Sequence, residues 1–220
     1  MPVGHENLAV VSDFDGTLTR WDLPELVLKR FGTKGWQQYD DLLKAGEITT
    51  EECVRKQYAM ISARGRKEIL DYVNEFWAFR PGAKELVSGC ERGKTALTIV
   101  SAGLDFCIEA AFRANNARLP ELVCPKTTFV RKKGFKLAFP SLGPLSATDF
   151  KETVVVSRKK MNDAVIFVGD GAGDLHAAAS ADEVFAIEGS ELDQLCTQRG
   201  VRHRSIRTLF PVLRFIQGLS

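Results

Sequence analysis

The sequence predicts an α/β protein: an open, doubly wound parallel sheet with a small helical unit inserted after its first strand. Three observations carry that prediction. Apolar runs at residues 8–12, 95–100, 165–169 and 184–187 are continuous rather than alternating, as in strands buried on both faces of a parallel sheet. Helical patterns at 83–92, 104–116, 150–161 and 175–181 separate the later runs, and strand–helix alternation belongs to that architecture. Between the first run and residue 95 the pattern is helical throughout.

The first strand, 8–12, ends in Asp13-Phe14-Asp15-Gly16-Thr17. The helical unit then reads as four helices at 21–31, 36–45, 49–62 and 67–76, broken at Gly32, Gly35, Gly46 and Gly65. Thr49-Thr50-Glu51-Glu52 has the form of a capped helix start. Arg80-Pro81-Gly82 marks the return to the sheet. The expected division is therefore a core of residues 1–19 and 81–220 and a cap of residues 20–80. A cap placed there would lie over the carboxyl edge of the sheet, where open α/β sheets bind ligands. Gly134 sits inside a possible hairpin spanning 128–139, and 140–146 reads as loop.

At 220 residues, 45% hydrophobic and 26% charged, the chain is long enough to bury a sizeable core. A formal net charge of +2 is too small to imply a nucleic-acid or membrane partner. The basic clusters at 131–133, 158–160 and 199–207 read as solvated turns and helix ends. Five widely spaced cysteines without a CxxC fit neither a disulfide framework nor a zinc site. They fit a reducing compartment. The polar start of the chain has no apolar signal core, and no run reaches membrane-spanning length. A cytoplasmic location is expected.

Two carboxylates at the mouth of a strand repel each other unless a cation or proton lies between them. The run Gly169-Asp170-Gly171-Ala172-Gly173-Asp174 repeats the layout of Asp13-Phe14-Asp15-Gly16. Alone it is also compatible with a turn closed by capping aspartates. Two acid-bearing strand ends meeting at one sheet edge call for a hard divalent cation, and such an oxygen donor set suits Mg2+. Ser101, with Ala102 and Gly103, ends another strand and opens a helix, whose free N–H groups favour an anion. By itself that serine is also an ordinary helix cap. Lys151 opens the helix before the 165–169 strand, where a cation opposes the helix dipole and calls for a specific partner. Cation site, carboxylates, anion-binding amides and lysine together describe phosphoryl transfer.

The order Asp-Phe-Asp-Gly-Thr, strand–Ser101, Lys151, Gly-Asp-Gly-Ala-Gly-Asp resembles the haloacid dehalogenase superfamily of phosphatases. The helical insertion resembles the branch that contains phosphoserine phosphatase and the methionine-salvage keto-enol phosphatase. By that resemblance Asp13 is a nucleophile that becomes an aspartyl-phosphate, and Asp15 a general acid and then base. Asp13, the Asp15 carbonyl and Asp170 would ligate Mg2+, with Asp174 in support. Ser101, Ala102, Gly103 and Lys151 would bind phosphate, with Lys159 and Lys160 as rivals too far along the helix. In the cap, Asp22, Thr50 and Gln57 stand at substrate-binding positions. Gln57 replaces the arginine, and Thr50 the phenylalanine, of phosphoserine phosphatases, while Asp22 keeps an acid near their amino-group position. Trp21, Trp36, Tyr39 and Tyr58 could line a pocket or simply form the core of a small bundle. Arg20 and Arg55 could meet a second anionic group and His176 could face the site, but exposed helix arginines and a capping or surface histidine are the preferred readings. The implied partner is a small phosphorylated metabolite, and the implied state a monomer or homodimer. A phosphate-binding regulatory protein on the same fold is the alternative of another class.

Overall fold

The computed structural model describes residues 7–62, 65–130, 134–141 and 149–218. In chain order its elements are β1 (Leu8–Ser12), α1 (Leu23–Phe31), α2 (Gln38–Ala45), α3 (Thr50–Ala59), α4 (Arg66–Val73), α5 (Ala83–Gly93), β2 (Ala96–Val100) and α6 (Asp105–Ala114). They continue with β3 (Glu121–Val123), β4 (Lys126–Val130), β5 (Gly134–Ala138), α7 (Phe150–Lys159), β6 (Ala164–Gly169), α8 (Leu175–Ser180), β7 (Glu183–Ile187), α9 (Glu191–Arg199), β8 (Arg204–Ile206) and α10 (Phe210–Ile216).

The runs read as strands are strands because both of their faces are covered. Val10, Ile99, Ile166 and Phe185 pack into one apolar layer with α5, α6 and α10. Ala9, Val11, Val165 and Phe167 pack into the other, with α7, α8 and α9. Six strands form one sheet in the order β3-β2-β1-β6-β7-β8. Every pairing in it is parallel. The order reverses at β1, so the carboxyl ends of β1, β2 and β6 lie side by side at the switch point.

The helical unit α1–α4 leaves and rejoins the sheet through a paired neck. Thr19 bridges Phe79 in antiparallel fashion. The Arg20 amide donates to the Ala78 carbonyl at 3.0 Å and the Arg80 amide to the Leu18 carbonyl at 2.7 Å. Behind the neck the rings of Phe14, Phe79 and Phe112 pack together. The expected capping box is present: the Thr49 hydroxyl accepts from the Glu52 amide, and the Glu52 carboxylate accepts from the Thr49 amide. The expected hairpin is β4–β5, and α3 packs against it, with the Arg55 guanidinium 4.8 Å above the Phe139 ring.

Three elements, β3, β8 and α9, were not foreseen from the sequence. β3 and β8 are three residues each, too short to show a period. α9 carries only Leu192 and Cys196 as buried residues, so its apolar stripe is thin. α10 packs into the apolar layer on one face of the sheet through the buried Leu209 and Val212. Leu213 of the same helix also rests on Gly89 of α5, where an added Cβ would come within 2.5 Å of it. Phe215 reaches the Phe185 ring of β7 at 5.7 Å. The basic cluster at 131–133 and most of the loop at 140–146 lie outside the described residues. Among the described residues, no helix is long and apolar enough to cross a membrane. All five cysteines are buried and free.

Candidate active site

The switch point brings the acids together. Asp13 follows β1 and its amide donates to the Val168 carbonyl of β6 at 2.8 Å, so the two strand ends are locked in register. Asp170 follows β6. Carboxylate oxygens of Asp13, Asp170 and Asp174 lie within 4.8 Å of one another. The Thr17 hydroxyl donates to Asp170 Oδ1 at 2.7 Å. Gly16 makes this convergence possible, because it sits at φ 75° and a Cβ there would fall 2.2 Å from Asp170 Oδ2.

Lys151 neutralises part of the cluster. Its ammonium is 2.7 Å from Asp13 Oδ1 and 2.6 Å from Asp174 Oδ1, and all three side chains are buried. That is the specific partner its place at the start of α7 demanded. Neither rival lines the cavity: Lys159 pairs with Asp182, and Lys160 is exposed at the other end of α7. Asp174 Oδ2 accepts the Asp170 and Gly171 amides, both at 3.0 Å. Asp174 is thus held by the protein, whereas Asp13 and Asp170 have fewer partners.

Asp15 faces the other way. Its Oδ2 accepts the Ser101 hydroxyl at 3.2 Å, and Ser101 Oγ accepts the Gly103 amide at 2.9 Å. Gly103 must lack a side chain, since a Cβ would sit 2.3 Å from Asp15 Oδ2. Ser101, Ala102 and Gly103 end β2 beside Asp13, as a strand-end anion site requires.

These groups floor a cavity of about 420 Å³ that the helical unit roofs. All the residues expected in the site line it: Asp13, Asp15, Ser101, Ala102, Gly103, Lys151, Asp170 and Asp174 from the sheet edge, and Asp22, Thr50 and Gln57 from the helical unit. A sequence model of the haloacid dehalogenase-like hydrolases matches residues 10–179, a span that holds every one of them. The chain belongs to that family.

Relatives of this haloacid dehalogenase-like hydrolase extend over nearly its whole length. A 2-hydroxy-3-keto-5-methylthiopentenyl-1-phosphate phosphatase of Brevibacillus brevis is 25% identical over 219 residues, covering 98% of this chain and 97% of the relative. The enzyme of that name from Geobacillus kaustophilus is also 25% identical, covering 98% of each chain. Among solved structures, a substrate-bound phosphoserine phosphatase superposes with a TM-score of 0.70 at 15% identity, covering 95% of this chain and 97% of the other. A phosphoserine phosphatase from T. onnurineus gives 0.69 at 20% identity, covering 97% and 96%. These structures share the fold.

The electrostatics of the hydrolase's site follow from burial. Desolvation pushes the Asp13 carboxyl up to about 7, against the pull of Lys151 and with a further push from Asp174. Desolvation, then Asp22 and Asp13, raise Asp15 well above the usual carboxylate range. Desolvation, then Asp13 and Asp174, do the same to Asp170. Burial pulls Lys151 down, but Asp13 and Asp174 outweigh it and its ammonium is held. Asp22 opens onto the cavity, and desolvation raises it to about 6 against the hydrogen bond it accepts from the Glu25 amide. Three acids and one lysine leave an excess of hard oxygen donors, and a divalent cation fits that set.

A pH dependence follows. An acid whose folded pKa is raised contributes stability that is fully present below its unfolded value and lost as pH rises through the folded one. For Asp13 the window runs from the ordinary 3.8 to about 7. A cation competes with those protons. The rise in Tm on adding Mg2+ is therefore expected to be larger at pH 8 than at pH 5, as differential scanning fluorimetry at matched ionic strength would show.

The helical unit's aromatics divide. Trp36 and Tyr58 are buried and also line the cavity, so core and pocket prove compatible for them. The Tyr58 hydroxyl donates to the Ala102 carbonyl at 3.2 Å. Trp21 is 48% exposed and meets Phe76 edge to face, and Tyr39 lies under the Lys56 ammonium. His176 is exposed, and Arg55 is spent on the hairpin. Gln57 Nε2 donates to Asp40 Oδ1 at 2.7 Å. Lys44 and Glu191 close the rim with an ion pair between α2 and α9. Sequence reasoning passed over Arg80, whose Nε donates to the Thr17 carbonyl at 2.9 Å and whose guanidinium also reaches the Gly16 carbonyl. A lone arginine at a domain boundary carries no signal of that role. Thr17 stood inside the first motif, and its spacing of four from Asp13 was the available clue.

Proposed function

We propose that this hydrolase is a Mg2+-dependent phosphomonoesterase that acts on a small phosphorylated metabolite through an aspartyl-phosphate, with residues 20–80 as its cap. The observation that carries the reading is the floor of the cavity, where Asp13, Asp170 and Asp174 meet beside Lys151 while Asp15 turns away toward Ser101.

Asp13, the Asp15 carbonyl and Asp170 would hold Mg2+, with Asp174 in support. When bound, the cation offsets the repulsion between a carboxylate and a phosphate dianion. The Asp13 carboxylate attacks phosphorus as the bond to the leaving oxygen breaks. Asp15, kept protonated by its buried setting, gives that oxygen its proton. Asp15 then takes a proton from the water that cleaves the acyl phosphate, returning Asp13 and releasing inorganic phosphate. Ser101, the amides at Ala102 and Gly103, and Lys151 hold the phosphoryl oxygens. The cap excludes bulk water.

The full-length relatives point to a 2-hydroxy-3-keto-5-methylthiopentenyl-1-phosphate type of substrate. Against phosphoserine stands Gln57, tied to Asp40 where a carboxylate substrate would need a bidentate cation. Hydrolysis of p-nitrophenyl phosphate tests the reading: turnover that requires Mg2+ and stops with EDTA is expected. Phosphate binding without any turnover would favour the regulatory alternative.

A further inference from the structure

We propose that Glu51 is a positioning residue that couples closure of the cap to the placement of Lys151. The inference rests on the phosphoryl-transfer reading and adds to it a residue that the chemistry itself does not require.

Glu51 lies in the first turn of α3, in the cap. Its Oε1 accepts the Phe150 amide of the core, 99 residues away, at 2.9 Å. Phe150 is the first residue of α7, and the next is Lys151. Simple capping does not account for this contact. Asp149 already caps α7, its Oδ1 accepting the Glu152 amide at 2.8 Å. Glu51 Oε2, moreover, is the one buried side-chain oxygen or nitrogen without a hydrogen-bond partner among the described residues. A buried acceptor left unpaired opposes folding. The field of the α7 N-terminus favours a carboxylate there and offsets part of that cost, but only while α3 is seated on the core.

The same helix touches the other two phosphate-handling loops. Tyr58 donates to the Ala102 carbonyl. Thr50 Oγ1 packs on Gly173, 2.9 Å from where a Cβ would stand. Seating α3 therefore engages the Ser101–Gly103 loop, the Asp170–Asp174 loop and the start of α7 together. Glu51 is the contact that reaches Lys151, through the neighbouring Phe150 amide. With α3 lifted, the first turn of α7 loses that anchor and the two short ion pairs of Lys151 lose their fixed geometry.

Three variants separate reach from charge, assayed with p-nitrophenyl phosphate at saturating Mg2+. Glu51→Gln keeps an acceptor oxygen at the same reach. Glu51→Asp keeps the charge but is one methylene short. Glu51→Ala keeps neither. Misplacement of about 1 Å near a reacting group costs up to about a hundredfold. The expected result is a fall in kcat of about tenfold to a hundredfold for Glu51→Asp and Glu51→Ala, with little change in KM, and near wild-type kinetics for Glu51→Gln. A wild-type kcat for Glu51→Asp, or a Glu51→Gln as impaired as Glu51→Asp, would overturn the proposal. Should Glu51→Ala fail to fold, the other two still decide. An inactive wild type would instead count against the phosphoryl-transfer reading.

Discussion

Asp13→Asn is expected to lower kcat on p-nitrophenyl phosphate by more than about a thousandfold, the scale seen when a nucleophile is removed from a working catalytic unit. The carboxamide keeps the size of the carboxylate but lacks its negative charge and the nucleophilicity that comes with it. The substitution should leave the fold intact. Asp13 Oδ1 accepts from Lys151 at 2.7 Å, a bond that a carboxamide oxygen also accepts. One negative charge also leaves the crowded trio with Asp170 and Asp174. Activity lost with Tm preserved is the expected pair of results. A variant that retained a tenth of the wild-type kcat would remove Asp13 from the chemistry.

Lys151→Met is expected to cost both stability and activity. The ammonium balances two carboxylates, and the three side chains are each at most 7% exposed. Removing one partner of a buried ion pair costs about 3–5 kcal/mol, because an uncompensated charge stays behind. Here two remain. The sign with pH is definite. Desolvation already raises Asp13 to about 7, and Lys151 is the group that restrains it. Without the lysine that carboxyl takes up a proton more readily, and a neutral acid needs no counter-charge. The stability deficit of Lys151→Met should therefore be largest near pH 8 and shrink toward pH 5. Added Mg2+ should recover part of it at pH 8. Urea melts at both pH values check this, and a deficit independent of pH would mean that the lysine acts only through packing.

Much of this site was legible because its elements announce themselves locally. The two Asp-Gly turns follow apolar strands, and a sheet that reverses direction at its first strand must place those turns side by side. Lys151 was legible from its conflict with the helix dipole, which the structure resolves with Asp13 and Asp174. What stayed hidden depends on distant pairings. Glu51 and Phe150 are joined across 99 residues, and Arg80 reaches back to the Gly16 and Thr17 carbonyls. No local pattern encodes such contacts. β3 and β8 stayed hidden because three-residue strands at the sheet's edges take their conformation from a neighbour rather than from their own pattern. Tyr58 was ambiguous because it is both core and cavity wall.

The covalent route on Asp13 is tested most directly by the pre-steady-state kinetics of Asp15→Asn with p-nitrophenyl phosphate in excess over enzyme. p-Nitrophenolate leaves without help from an acid, so the first step survives the substitution, while the second loses its base. A burst of one p-nitrophenolate per chain is the expected result, with a phosphoryl group recovered by mass spectrometry on the acid-quenched peptide that contains Asp13. Turnover without a burst, and without phosphoryl on that peptide, would contradict the aspartyl-phosphate.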